Sequence, residues 1–280
     1  MDKILYVLQN FFTHKDHLDP NMMAGKLFSP LHFVFAGILL TLIIVGAILL
    51  SKRSERTIRI AFTIIWATLT VVDVFRMIWE STTGNKIGFE WGGNLPLYPC
   101  SIFMYAMPFA IWGRGKVRYA ACGYLCTLGF FGGAINFVYP VNVLGNYSCI
   151  SFAGLNTFFF HGALVFCTLV MLISGYHSFK NAQKPIDLLL PAIPALIVSI
   201  VAHMVNFSWI GSDYMFFKMN SFFLPAIKSA IGGILGQELP IWGCVILVYI
   251  FYLVLHAAPY IPCFIANNVK AKREQNSKTA

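Results

Sequence analysis

Seven runs of mostly apolar residues, at about 31–50, 58–79, 95–112, 119–138, 155–176, 186–207 and 239–257, dominate this 280-residue chain. A helix rising 1.5 Å per residue needs roughly 20 such residues to cross the hydrocarbon of a bilayer. Hydrocarbon offers backbone N–H and C=O groups no partner, so each run must satisfy its own, which a helix does. Composition agrees: 58% of the residues are hydrophobic and 11% charged, against about 25% charged in soluble domains. The expected fold is an all-α membrane protein, a seven-transmembrane-helix bundle spanning residues 31–262.

The ends and connections are read from charge and amphipathicity. Residues 1–30 form an extracytoplasmic interfacial segment, because Ile4, Leu5, Leu8, Phe11 and Phe12 recur at helical spacing before a polar stretch too interrupted to span. No cleavable signal peptide is recognisable there. Segment 208–238 is aromatic-rich but carries Asp213, Lys218 and Lys228, so it reads as an interfacial or re-entrant cap. The net charge of +9 reflects topology rather than nucleic-acid binding. Alternate loops, with the tail, hold thirteen Lys and Arg, including Lys52, Arg53, Arg114 and Arg118, and the opposite side holds six. Positive charge is retained inside, which puts the N-terminus outside and leaves 263–280 as a basic cytoplasmic tail. The protein is expected in the cell membrane, as a multi-pass chain.

Polar groups inside hydrocarbon are costly and tend to face a cavity or one another. Threading the runs alternately through a bilayer brings many of them to one outer layer. Cys100 lies five residues into the third span and His161 six into the fifth, while Asp73, Arg76, Glu80, Asn136, His203 and Asn206 come late in the outward-running second, fourth and sixth. Asp73, Arg76 and Glu80 stand at i, i+3 and i+7, a spacing that also suits a self-satisfied network on one helix face. Asn136 also fits a packing or capping role, and a lone His203 a hydrogen-bonding strut. Cys122, Cys126, Cys167 and Cys244 read as packing thiols, and Cys149 has no sequence-defined partner. Cys100 and His161 share a depth and have complementary chemistry. An imidazole that takes the thiol proton makes the thiolate, the actual nucleophile, and can return the proton to a leaving group. Pro96 and Pro99 beside Cys100 loosen the backbone there, freeing N–H groups to stabilise an oxyanion, or simply mark a helix entry.

The stretches "LPLYPCS" (Leu95–Ser101), "FFFHGAL" around His161, the segment from Asn206 to Phe217 that includes "DYMFF", and "LPIW" opening the last run carry a family resemblance. On them the chain resembles the YwaF-type integral membrane proteins of bacteria, related to the eukaryotic transmembrane protein 164 family. That family is similar to membrane acyltransferases that move fatty acyl chains between phospholipids through a cysteine and a histidine. The resemblance places these on Cys100 and His161. The chain departs from the commoner pattern of bacterial relatives at Tyr98, where they more often carry histidine, and at Asp213–Tyr214, where they more often carry Asn-Tyr.

The favoured expectation is an intramembrane lipid acyltransferase or acyl hydrolase. Cys100 is its nucleophile, His161 its base, and a phospholipid or other acyl lipid its partner. Asp73, Arg76, Glu80, Tyr98, Asn136, His203, Asn206, Asp213 and Tyr214 would bind substrate or support the pair, with His203 orienting His161 and Arg76 holding a phosphate. No cofactor or metal is expected. A zinc set of Cys100, His161 and His203 is the weakest reading, because no local ligand spacing supports it. The alternative from another class is a small-solute transporter or ligand-binding protein using the same polar layer, with Arg76 and Asp73 essential and Cys100 incidental.

Overall fold

A computed structural model describes residues 2–279, except 86, 90–92, 209–211 and 222–223. Among the described residues it is all-helical. The amphipathic N-terminus forms α1 (Asp2–Gln9). It is followed by α2 (Pro30–Ser51) and α3 (Glu55–Thr83), which start where Ser29 and Ser54 accept backbone N–H groups of the first turn. Next come α4 (Phe103–Trp112), α5 (Gly115–Tyr124), α6 (Phe130–Val138), α7 (Val141–Leu144) and α8 (Phe152–Ile173), the last capped by Ser151. The remaining helices are α9 (Pro185–Leu189), α10 (Ile193–Ser208), α11 (Leu224–Leu235), α12 (Ile241–Ala257) and α13 (Ile261–Thr279). Helix α8 packs on α2, α3 and α6 and lies near the centre, while α2 and α3 leave most of their apolar surface outward.

Five helices among the described residues are long and apolar enough to cross a membrane, counting α5–α7 and α9–α10 as continuous runs. The bent pair α12 and α13, with 51° between them, makes a sixth if taken as one span. The chain is therefore a multi-pass membrane protein. The third run differs from expectation: its helix holds only ten residues, Phe103–Trp112. Proline has no N–H and drives the residue before it out of the α region, so Leu95–Ser101 folds as turns instead. The expected edge of the tail at residue 263 falls inside α13.

Two local devices shape the interior. Between α5 and α6, Leu125–Gly129 makes a π turn. There the Leu125 carbonyl accepts from Phe130 N–H and, at 2.8 Å, from the Thr168 hydroxyl, while Thr127 Oγ1 lies 2.6 Å from His256 Nδ1. The extra residue rotates every following α6 side chain relative to an unbroken helix. In the cap, Met215, Phe216 and Met219 hold left-handed φ values of 56°, 57° and 54°, costly for side-chain-bearing residues. Asp213 accepts the N–H groups of Lys218 (2.7 Å) and Asn220 (2.9 Å), and Tyr252 donates to the Met215 carbonyl at 2.8 Å, which holds that run in place.

Candidate functional site

The turns before α4 are tied down by hydrogen bonds from two directions. Tyr124 donates its hydroxyl to the Pro99 carbonyl at 2.6 Å. Leu95 N–H donates to the Tyr214 hydroxyl at 2.9 Å. Tyr214 is gripped in turn by the Asn206 amide, which donates to its carbonyl and accepts its N–H, both at 2.9 Å. The Tyr98 carbonyl accepts from Ser101 (2.9 Å) and Ile102 (3.3 Å), so of the donors expected from this loosened backbone, those two are used internally. The Cys100 N–H donates to no backbone carbonyl among the described residues. Cys100 thus sits on a turn three residues before α4, not inside a helix as its sequence position implied.

A cavity of about 350 Å³ opens beside it. Cys100, Tyr98 and Pro99 line one part, Gly132 and Asn136 of α6 another, Thr157 and His161 of α8 a third, and Leu224, Ile227 and Ile231 of α11 lie across it. Two adjacent glycines bring the walls together. A methyl group on Gly132 would lie 3.8 Å from both Cys100 Cβ and Cys100 N. One on Gly133 would lie 2.9 Å from the His161 carbonyl and 3.0 Å from Leu164 Cβ, closer than side chains tolerate. Consecutive residues of α6 therefore touch the cysteine loop and the histidine helix.

His161 is half-buried, and its Nδ1 lies 2.8 Å from the Thr157 carbonyl one turn earlier. A carbonyl can only accept, so Nδ1 carries the proton and Nε2 keeps its lone pair. Among the described residues Nε2 has no hydrogen-bond partner, and none joins it to Cys100. The imidazole thus keeps one ring nitrogen unpaired among the described residues and lines the same cavity as the thiol.

The structure separates the expected site residues into two groups. Cys100, His161, Tyr98 and Asn136 line the cavity. Asp73, Arg76, Glu80, His203, Asn206, Asp213 and Tyr214 do not. Arg76 is paired within its own helix, with Nε 2.8 Å from Asp73 and Nη1 2.5 Å from Glu80, so its charge is balanced there and it does not line the cavity. His203 does not orient His161: its Nε2 lies 3.0 Å from the Tyr249 hydroxyl and its ring stacks on Phe217 at 4.2 Å. The Cys100–His161–His203 zinc set is therefore not assembled, and among the described residues no group of three metal-binding side chains occurs. All seven cysteines are free thiols, with Cys149 buried. Gly132, Gly133, Thr157 and Tyr252 escaped sequence reading. The Gly-Gly pair and the i−4 spacing of Thr157 to His161 were the available signals.

An all-helical, multi-pass membrane protein with a largely apolar internal cavity and a short polar wall is the class this fold defines. A sequence model of the TMEM164 family matches residues 27–265, and the chain belongs to that family. No curated protein and no solved structure matches it.

Proposed function

We propose that the chain is an intramembrane acyl-transfer enzyme with Cys100 as nucleophile and His161 as its base. The observation that carries this reading is a shared cavity: a thiol and an imidazole from separate elements line it, with Nδ1–H tied to Thr157 and Nε2 open. His161 Nε2 takes the thiol proton as the sulfur attacks an acyl ester. The C–S bond forms, the ester C–O bond breaks, and the imidazolium returns its proton to the leaving oxygen. A hydroxyl or water then attacks the thioester, giving its proton to Nε2 as the C–S bond breaks, and the thiolate recovers a proton. The Cys100 N–H beside Gly132, which donates to no backbone carbonyl among the described residues, is a donor for the tetrahedral oxyanion.

The cavity's aliphatic and aromatic walls suit the acyl chain of a phospholipid or another acyl lipid as donor. The basic-loop bias supports an outer N-terminus, a cytoplasmic C-terminus and residence in the cell membrane, with the short α4 completing seven crossings. The solute-transporter alternative leans on Arg76 and Asp73, which pair with each other and do not line the cavity, although Asp73 stays within electrostatic reach of Cys100 and His161.

Purified protein incubated with an acyl-phospholipid is expected to gain one acyl mass on Cys100, removed by neutral hydroxylamine. Lipid turnover with no change in protein mass would refute the covalent scheme.

A further inference from the structure

The cavity's polar wall narrows what the second substrate must look like. His161 Nε2 is one unmet acceptor on it. Asn136 supplies another. Its Nδ2 donates to the Gly132 carbonyl at 2.8 Å, one turn back on α6. A carbonyl cannot donate, so the amide orientation is chemically forced and Oδ1 is left as a pure acceptor. Among the described residues Oδ1 has no partner, nor is it a buried orphan. The Thr157 hydroxyl, a turn before His161, lies on the same wall. Asn136 stands about one helical turn, 5.4 Å of rise, from Gly132, the residue against Cys100. Leu128, Phe131, Ile135, Leu247 and Phe251 supply apolar lining, Tyr98, Asn142 and Tyr252 add further polar tips, and no charged side chain occurs among the described residues that line the cavity.

Two strict acceptors ask for two donors. A single hydroxyl fills only the position at His161. We propose that the acyl acceptor is a lipid carrying a two-hydroxyl glyceryl group, a monoacylglycerol. One hydroxyl gives its proton to His161 Nε2 as its oxygen attacks the Cys100 thioester, and the other donates to Asn136 Oδ1. Asn136 is thus a specificity-determining residue that holds the acceptor in register. The glyceryl headgroup of an anionic phosphatidylglycerol offers the same pair of donors, but the uncharged wall favours the neutral lipid. This inference rests on the proposed Cys–His acyl transfer.

The test uses full-length protein in detergent micelles, loaded on Cys100 with a long-chain acyl p-nitrophenyl ester and cleared of excess reagent. Thioester loss is then followed by intact mass on adding a monoacylglycerol, a primary alkanol of equal chain length, phosphatidylglycerol or free glycerol. The wild type is expected to discharge to a glyceryl lipid about fivefold faster than to the alkanol, the scale of one neutral hydrogen bond. Asn136→Leu is expected to bring that ratio near unity; reading a ratio within each variant cancels changes in loading. Equal wild-type rates, an unchanged ratio in the leucine variant, or free glycerol matching the lipids would overturn the proposal. The faster of the two glyceryl lipids identifies the source of the diol. If no thioester loads at all, the acyl-transfer reading fails separately. Binding of monoacylglycerol against alkanol to Cys100→Ser, with and without Asn136→Leu, then decides the diol site: a preference lost with Asn136 upholds it, and no preference ends it.

Discussion

Two polar clusters lie in this apolar bundle, and they meet their needs differently. On α3, Asp73, Arg76 and Glu80 come from one helix face and satisfy one another at 2.8 and 2.5 Å. Around the cavity, Cys100, Asn136 and His161 come from a turn and two helices, and each keeps a backbone or side-chain group with no hydrogen-bond partner on another described residue. Complementary charges at i+3 and i+4 find each other with no help from the fold. Asn136 and His161, on separate elements, are held by their own backbones, which leaves Oδ1 and Nε2 unused on residues that line one cavity. The closed cluster resembles structure and the open one resembles a site.

The largest expected effect breaks that contrast directly. Cys100→Ala or His161→Ala lowers acyl transfer about a thousandfold, read as product per folded enzyme, while thermal stability changes little. Were the two variants to keep wild-type turnover, the open cluster would be mere packing. Arg76→Ala is expected to show the converse pattern. It strands two carboxylates in a partly buried place and costs about 3 kcal/mol of stability, read by denaturant or thermal unfolding, with turnover of the folded fraction retained. A simultaneous change of Asp73, Arg76 and Glu80 to apolar residues of similar size should recover most of that loss.

Gly133→Ala tests how the two walls are set. Its methyl group must displace the His161 carbonyl or Leu164, and a shift near 1 Å at a reacting pair costs about a hundredfold in rate. The check is the pH profile of Cys100 alkylation, which should depart from that of the wild type. Gly132→Ala, with contacts of 3.8 Å, should leave that profile in place.

The smallest effect concerns a histidine far from both clusters. His177 lies past the end of α8 with Nε2 2.7 Å from the Tyr260 hydroxyl. Burial, then the nearby Arg118, holds its pKa down to about 4 from an ordinary 6.5. The folded protein therefore stays neutral there while the unfolded chain takes up a proton. Stability from this group is complete above about pH 6.5 and drains as pH falls toward 4, amounting to about 2 kcal/mol by pH 5. Melting curves of the wild type and His177→Gln should converge in that range, and parallel curves would show that His177 does not titrate this way.

That Cys100 and His161 share a cavity was legible in the sequence because depth along a spanning helix is a count of residues. That count put Cys100 and His161 in one layer, and the cavity holds both. It misjudged others in the same layer. His203 comes late in its helix, yet its ring lies against Phe217 and Tyr249, because depth says nothing of the direction a side chain takes around the axis. Asn206, Asp213 and Tyr214 proved to be the clasp that fastens the cysteine loop and the cap, a role visible only once residues over a hundred positions apart meet.

Length and hydropathy by themselves determined that this chain is helical and crosses a membrane, since the bilayer forces each run to satisfy its own backbone. The i, i+3, i+7 spacing on α3 likewise settled a local ion cluster. Which polar groups stay open to a cavity was a tertiary decision. It depended on prolines that stop α4 short of Cys100, on a π turn that rotates α6, and on paired glycines that let α6 reach the cysteine turn and α8 together. Each changes the angle or approach of one element against another, which is a relation between segments and has no counterpart in any single run of residues.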